Sequence, residues 1–509
     1  MGKTLIRNKS INEVNFLKID IVKRVFSSGE SISKKAAQGT FWLFSFRIVD
    51  HSFRLVRTVI LARLLAPNDF GLFGITIMAV SLLETFSQNG FQQALTQKKG
   101  DIVPYLDSAW VVQIVRGLVL ALALFFLAPF IALFFNAPES EPILKVVALA
   151  VALQGFYNIA IVYFSKELQF HKYFLYQIVG TLADFIVSVA LAVIFHSVWA
   201  LVFGLLAGTL ARLALSYLAY SYVPRFSFNA QKAKELFVFG KWVFITNVIA
   251  FFITQADGFF VAKMLGITAL GFYQIAYKIP SILAIDILAG AIFPAYTKIQ
   301  DDIGKIKQAY LKIFRLFAFF LLPAAGGLLA ITPEFIRLFL GEKWLLAAGA
   351  MQVLILSTLV WTIAVLSNYV FLALARPEIE AKGSAIRFLV LAVLLYPFII
   401  WWGIFGASVA VLVSALCSAA WFVFMITKLI HCKWKDFVNN SLAPLVNTLC
   451  MMALVFFTKG MLPITLGNFL LLILVGVFSY IVLTYIADRL FQQKMIPLIK
   501  ETTRIFIQE

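Results

Sequence analysis

From near Phe41 to near Ile486 the chain repeats one pattern: a run of about 20 apolar residues followed by a short polar, often basic, connection. Such a run crosses roughly 30 Å of hydrocarbon as a helix rising about 1.5 Å per residue. The runs lack the alternation of barrel strands, so their backbone amides must be satisfied within helices. The pattern predicts an all-α integral membrane protein of about fourteen transmembrane helices. The spans are placed at residues 39–65, 68–95, 104–135, 142–165, 173–196, 198–222, 239–264, 269–297, 309–332, 345–373, 383–402, 406–428, 440–458 and 465–487. Residues 1–38 are polar and basic, with no apolar stretch resembling a cleavable signal, and are expected to form a cytoplasmic extension.

The chain also repeats itself. At an ungapped offset of 200, Trp42 falls on Trp242, Phe44 on Phe244, Ala62 on Ala262, Arg63 on Lys263, Leu65 on Leu265, Gly71 on Gly271, Phe73 on Tyr273 and Ile75 on Ile275. A later echo sets Pro129, Pro138 and Glu139 beside Pro323, Pro333 and Glu334. Six spans separate the copies, so both halves share one orientation, related by a pseudo-twofold axis along the membrane normal with a central cavity between them. The expected organisation is a six-helix lobe at 39–222, a cytoplasmic linker at 223–238, a second six-helix lobe at 239–430, an accessory helix pair at 431–488 and a cytoplasmic tail at 489–509. Pro129, Pro280, Pro294, Pro323, Pro397 and Pro444 lie in or beside spans, as alternating-access hinges or as static kinks. Gly204 and Gly208 have the spacing of close helix packing.

Composition agrees: 62% of the 509 residues are apolar and 13% charged. The net charge of +18 raises nucleic acid as a partner, but its distribution argues otherwise. Roughly 30 of the 43 Lys and Arg fall at one membrane face, which makes that face, and both termini, cytoplasmic. Lys98, Lys166, Lys232, Lys305, Lys382 and Lys433 stand in the connections on that side. The distribution argues for a multi-pass membrane protein with no nucleic-acid partner.

Charges inside spans are expensive and therefore mark candidate sites. On the first span Arg47, Asp50, His51, Arg54 and Arg57 fall within one sector of the helix. If Arg47 and Arg54 stand near the midplane, each costs about 2.5–3.5 kcal/mol unless water, a counter-ion or an anionic ligand is near. A planar guanidinium donates two parallel bonds to a phosphate, so Arg47, His51, Arg54 and Arg57, with Lys278 of the eighth span, are the candidate substrate contacts. The alternative is that the stripe pairs with acids on neighbouring helices. The offset sets Asp257 against Arg57 and suggests that the two pair across the cleft. Glu84, Asp184, Asp257 and Asp286 are the candidates for ion coupling. Arg116, Arg212 and Arg387 are further cleft candidates, Arg387 standing where it would snorkel to the cytoplasmic interface.

Enzyme signatures are missing from the sequence: it carries no P-loop, no His-Glu-x-x-His helix and no nucleophile elbow. No cofactor or metal site is expected. His51, His171, His196 and His431 are scattered, and Cys417, Cys432 and Cys450 have no paired spacing.

The residues from Gly39 to Glu139 resemble one family. They include Ala62 to Leu65, Pro67-Asn68-Asp69-Phe70-Gly71, Gly90-Phe91 through Gln97-Lys98, Leu106-Asp107-Ser108-Ala109-Trp110 and Arg116-Gly117. The stretch is similar to the polysaccharide exporters related to O-antigen and colanic-acid flippases, as are Pro333-Glu334 and Gly341-Glu342-Lys343-Trp344. The resemblance places the chain in the multidrug/oligosaccharidyl-lipid/polysaccharide exporter superfamily. It implies two lobes in a V, alternating access, and an undecaprenyl-pyrophosphate-linked oligosaccharide moved from the cytoplasmic to the periplasmic leaflet of a bacterial inner membrane. Membrane lipids and polysaccharide assembly proteins are the other candidate partners. The competing readings are a lipid-II flippase or multidrug exporter of the same fold and, from another class, a membrane glycosyltransferase or polymerase.

Overall fold

A computed structural model describes residues 49–87, 91–98, 100–167, 169–220, 222–231, 251–283 and 289–491, which are helical or in turns, with no strand among them. The first half comprises α1 (49–64), α2 (Pro67–Ser87), α3 (Phe91–Gln97), α4 (Val103–Phe134), α5 (Ser140–Gly155), α6 (Val162–Lys166), α7 (Phe170–Phe195) and α8 (Trp199–Leu218). The second half comprises α9 (251–265), α10 (Ile267–Lys278), α11 (Ala289–Thr297), α12 (Ile303–Phe335), α13 (Ala348–Ala373) and α14 (Pro377–Leu429). The closing pair is α15 (Trp434–Met461) and α16 (Leu466–Phe491).

Among the described residues nine helices are long and apolar enough to cross a membrane, or ten if the pair 140–155 and 159–166, bent by 69°, is one span. The 53-residue α14 is not one span: Gly403, at φ 59°, breaks it between the two runs expected at 383–402 and 406–428. The described parts of α1 and α9 are shorter than a full crossing.

The repeat becomes a contact. At the turn ending α1, Pro67 opens α2, a position where its missing N–H costs nothing. Asp69 accepts from Ala66 N at 2.8 Å and from Val198 N at 3.0 Å, tying this turn to the α7–α8 turn. The matching turn ends α9 at Gly266. The helices that follow cross at their repeat-related glycines: a Cβ on Gly71 would overlap the Ile267 carbonyl, and one on Gly271 would overlap the Pro67 carbonyl. Pro67 and Ile267 are themselves 200 residues apart, so the crossing is reciprocal about the pseudo-axis.

One buried apolar cluster spans both halves at this end, with Leu61, Phe70 and Ile143 from the first and Val261, Tyr273 and Trp344 from the second. Away from it the cores divide. Phe91, Leu106, Trp110 and Ile159 form one cluster, and Tyr296, Tyr310, Phe371 and Phe422 form another. Among the described residues, the halves thus share a core at the end bearing the α1–α2 turn and have separate cores at the other. Phe86 and Phe252 meet edge-on at 6.5 Å across the gap.

The connection between the halves is fastened to the first. Asp107 accepts from Tyr222 Oη at 2.5 Å and from Arg225 N at 2.8 Å, Ser108 accepts from Asn229 N at 2.9 Å, and Trp110 packs on Phe226 at 4.8 Å. The Leu106–Trp110 motif is therefore a clasp for the linker.

The second proline echo fails in three dimensions. Pro129 and Pro323 both lie inside helices, but Pro138 precedes α5 whereas Pro333 lies inside α12, which runs on through a π turn to Leu340. Each α12 proline withholds a donor from the carbonyl four residues earlier. The Phe319 carbonyl accepts from Tyr480 Oη at 2.9 Å, and the Leu329 carbonyl accepts from Gln352 Nε2 at 3.1 Å. Tyr480 lies on α16, so one of these repairs also docks the closing pair.

Candidate functional site

Depth can be counted from the sealed turns at about 1.5 Å per residue, which puts Arg54, Lys278 and Asp184 each roughly 15–17 Å into the bundle, near the middle of a bilayer core. Three elements of the first half and one of the second converge there. Arg54 donates from Nε to Asp50 Oδ2 at 2.7 Å, and its side chain is 62% exposed. Thr181 Oγ1 of α7 donates to the other oxygen of Asp50 at 2.9 Å. One turn along α1, Arg57 donates from Nη2 to Asp184 Oδ1 at 2.7 Å and from Nε to Ser188 Oγ at 3.0 Å; this pair is largely buried.

Lys278 enters from the second half. It is the last residue of α10, and a 3-10 turn opened by Pro280 follows. Its Nζ lies 5.8 Å from the Phe70 ring of the first half, and the charges of Arg57, Asp184 and Arg54 act on it. Arg212 of α8 acts on Asp184 as well. Gly180 makes room for this side chain, since a Cβ there would overlap it. Gly208 lets α8 approach the Gly180 carbonyl, as the sequence spacing implied. Arg212 Nε is buried without a hydrogen-bond partner.

Among the described residues the cluster thus sets Arg54, Arg57, Arg212 and Lys278 against two carboxylates, Asp50 and Asp184. His51, Arg54 and Lys278 are exposed although they stand among membrane-spanning helices. Such a surplus of cation in a solvent-reached gap is what an anion requires.

The expected residues divide as follows. His51, Arg54, Arg57, Asp184 and Lys278 lie on the helices lining this region, whereas Arg47 and Asp286 lie outside the described residues. The pairing of Arg57 with Asp257 across the gap is not formed. Asp257 is buried and accepts from Tyr273 Oη at 2.7 Å and Gly258 N at 2.9 Å, all within the second half. Arg387 acts on it and stacks 4.1 Å from the Trp361 ring; it is 6% exposed and does not snorkel. The two halves invert one another: the first carries a cation on its leading helix and an acid on its fifth span, and the second reverses them. Glu84 stands beside Arg116, which donates to its backbone carbonyl at 3.1 Å and to Ser87 Oγ at 3.0 Å.

A second group was missed in the sequence. At the sealed end Lys343 Nζ donates to the Arg63 and Leu65 carbonyls at 2.9 and 2.8 Å, and Trp344 Nε1 to the Ala62 carbonyl at 2.8 Å. In the other direction Arg63 donates to the Leu338 and Phe339 carbonyls, and Lys263, its repeat partner, donates to Phe134 O at 2.6 Å. The signal was present in the Arg63/Lys263 match, but backbone carbonyls as partners leave no trace in a sequence.

The profile described as polysaccharide biosynthesis protein matches residues 60–349. The chain is 25% identical over 366 residues to the lipopolysaccharide biosynthesis protein WzxC of Escherichia coli (strain K12), covering 70% of this chain and 74% of that one. It is 24% identical over 328 residues to the succinoglycan biosynthesis transport protein ExoT of Rhizobium meliloti (strain 1021), covering 64% and 66%. Among solved structures it superposes on the lipid II flippase MurJ in its inward closed conformation with a TM-score of 0.73 and 17% identity, over 88% of this chain and 99% of that one. At that identity the likeness is one of fold. The family match covers more than half of the chain, including the helices of the sealed crossing, and this chain belongs to the polysaccharide biosynthesis protein family.

Proposed function

We propose that this protein moves a lipid-linked oligosaccharide across the bacterial inner membrane by alternating access, with its diphosphate held at Arg54 and Lys278. The observation that carries the reading is the cation surplus around Asp50 and Asp184, exposed at mid-depth between the two halves. An undecaprenyl-pyrophosphate is the anion expected there, and the relatives in polysaccharide biosynthesis and transport support a sugar cargo. The six-helix lobes at 39–222 and 239–430 rock against each other about an axis in the membrane plane, with 223–238 as their tether and both termini cytoplasmic. Arg57 and Asp184 hold the site's shape, and Arg47 extends the stripe toward the cytoplasmic end.

In this cycle the sealed end faces the periplasm. Opening it breaks the bonds of Arg63, Lys263, Lys343 and Trp344 to carbonyls of the opposite half; water replaces the lost partners, so each costs only about 0.5–1.5 kcal/mol for the neutral indole and about 1.5–3 kcal/mol for the charged donors. Nothing in the reaction requires a bond to be made or broken in the cargo, so the reading is transport and not catalysis.

The test is a leaflet assay of the lipid-linked sugar in cells lacking the gene, complemented with wild type or with Arg47→Ala or Arg54→Ala. Accumulation on the cytoplasmic side without the gene or with either variant, each inserted normally, is expected. Normal export by the double variant rejects the site, and an unpolymerised but translocated glycan in the deletion strain points to an enzyme instead.

A further inference from the structure

Glu334 and Lys459 belong to a feature that the transport site does not use. At the sealed end, α12, its π turn (Ile336–Leu340) and the α15–α16 connection line a partly open cavity of about 260 Å³. Glu334, Leu338, Lys459, Thr465, Asn468 and Phe469 are among its lining residues. Lys459 Nζ donates to the Ala330 carbonyl at 3.1 Å and lies 2.9 Å from Glu334 Oε2. That contact is close but poorly directed: Oε2 is buried and receives no hydrogen bond with acceptable geometry. The glutamate keeps acceptor capacity and the ammonium keeps at least one N–H. A buried ion pair is weak support for a fold, since well-packed apolar side chains of equal volume do as well or better. Two opposite charges with spare bonding capacity, lining one cavity, fit a ligand that carries both signs.

The surroundings narrow the ligand further. Lys459 lies two residues from the end of α15, at the level where a span leaves the hydrocarbon. Leu466, Leu470 and Leu474 of the adjoining helix are exposed along a membrane-spanning length. The remaining wall is apolar, with Leu462, Ile464 and Leu472. The volume suits a small polar head and not an oligosaccharide.

We propose that this cavity binds the headgroup of a membrane phospholipid bearing both a phosphate and a primary ammonium, the phosphate on Lys459 and the ammonium on Glu334. The lipid fastens the α15–α16 pair to α12, beside the seal between the halves. The bound head sets its ammonium against the face of Glu334 that lines the cavity, and its phosphate on the remaining N–H of Lys459.

The full chain is reconstituted in vesicles of phosphatidylethanolamine, phosphatidylcholine and phosphatidylglycerol in equal parts and extracted in mild detergent, and native mass spectrometry reads the retained lipid. Wild type is expected to retain the ethanolamine lipid about tenfold over the choline lipid, whose methylated nitrogen has no N–H to donate. The double variant Glu334→Gln/Lys459→Gln, neutral at both positions, loses that preference while transporting normally. Equal retention of all three lipids by wild type overturns the proposal, and so does a preference that survives in the double variant. Phosphatidylglycerol retained as well as phosphatidylethanolamine also overturns it, since Lys459 alone would then be binding a phosphate.

Discussion

Arg54 and Arg57 stand one turn apart on α1, yet their surroundings assign them different work. Arg57 is held by Asp184 and Ser188 in a largely buried contact, so removing it takes from a buried carboxylate the guanidinium it contacts directly. Arg57→Ala is expected to destabilise the protein by about 3–5 kcal/mol, with Arg57→Ala/Asp184→Asn recovering most of the loss. Thermal unfolding of the detergent-solubilised protein measures both. Arg54 faces the gap with most of its side chain exposed. Its loss should change stability by less than about 1 kcal/mol while abolishing export. Equal destabilisation by the two alanines would remove the distinction. The stripe itself was legible because five polar residues on one face of an apolar helix cannot look at lipid. Its partner was not, since Asp184 lies 127 positions beyond Arg57 and nothing local points to it.

At the scale of helices, the prolines of α12 mark where the ladder is incomplete and a neighbour has supplied the donor. Tyr480→Phe removes the donor to the Phe319 carbonyl, and a loss of about 0.5–1.5 kcal/mol is expected, read as earlier detachment of α15–α16 in amide exchange. A change confined to the first half would contradict this. Asp302 caps the other end of α12, accepting from Lys305 N at 3.0 Å. That bond and the Lys305 ammonium hold its carboxyl below the ordinary carboxylate range. Because the folded value is depressed, the cap's contribution is complete above the unfolded value of about 3.9 and disappears as pH falls through the folded one. Exchange at the first turn of α12 should therefore rise on acidification, and Asp302→Asn should flatten that dependence.

At the scale of the molecule, the reciprocal crossing of α2 and α10 is the part that transport must undo. Asn68 and Thr268, 200 positions apart, touch at 3.4 Å across the pseudo-axis. In a background with Cys417, Cys432 and Cys450 replaced, Asn68→Cys/Thr268→Cys should form a disulfide under oxidation, stop export, and regain it on reduction. Export that continues with the bridge formed would show that this end does not open. Gly71→Val, whose side chain overlaps the Ile267 carbonyl, should have the opposite effect and weaken the seal. Its expected signature is a lower yield of the same cross-link.

The sequence by itself determined the class, the all-helical membrane architecture, the glycine-bearing repeat and the presence of cations on the leading helix. Each is written in local composition or at a constant offset, and the bilayer tolerates few alternatives to a helix of about 20 apolar residues. Only the tertiary structure decided which charges meet. The repeat put Arg57 opposite Asp257, but packing gave Arg57 to α7 and Asp257 to Tyr273, because a buried charge is satisfied by whichever donor or acceptor lies within about 3 Å. The seal was decided there as well. Its acceptors are carbonyl oxygens that every residue carries, and only folding exposes particular ones to Arg63, Lys263 and Lys343.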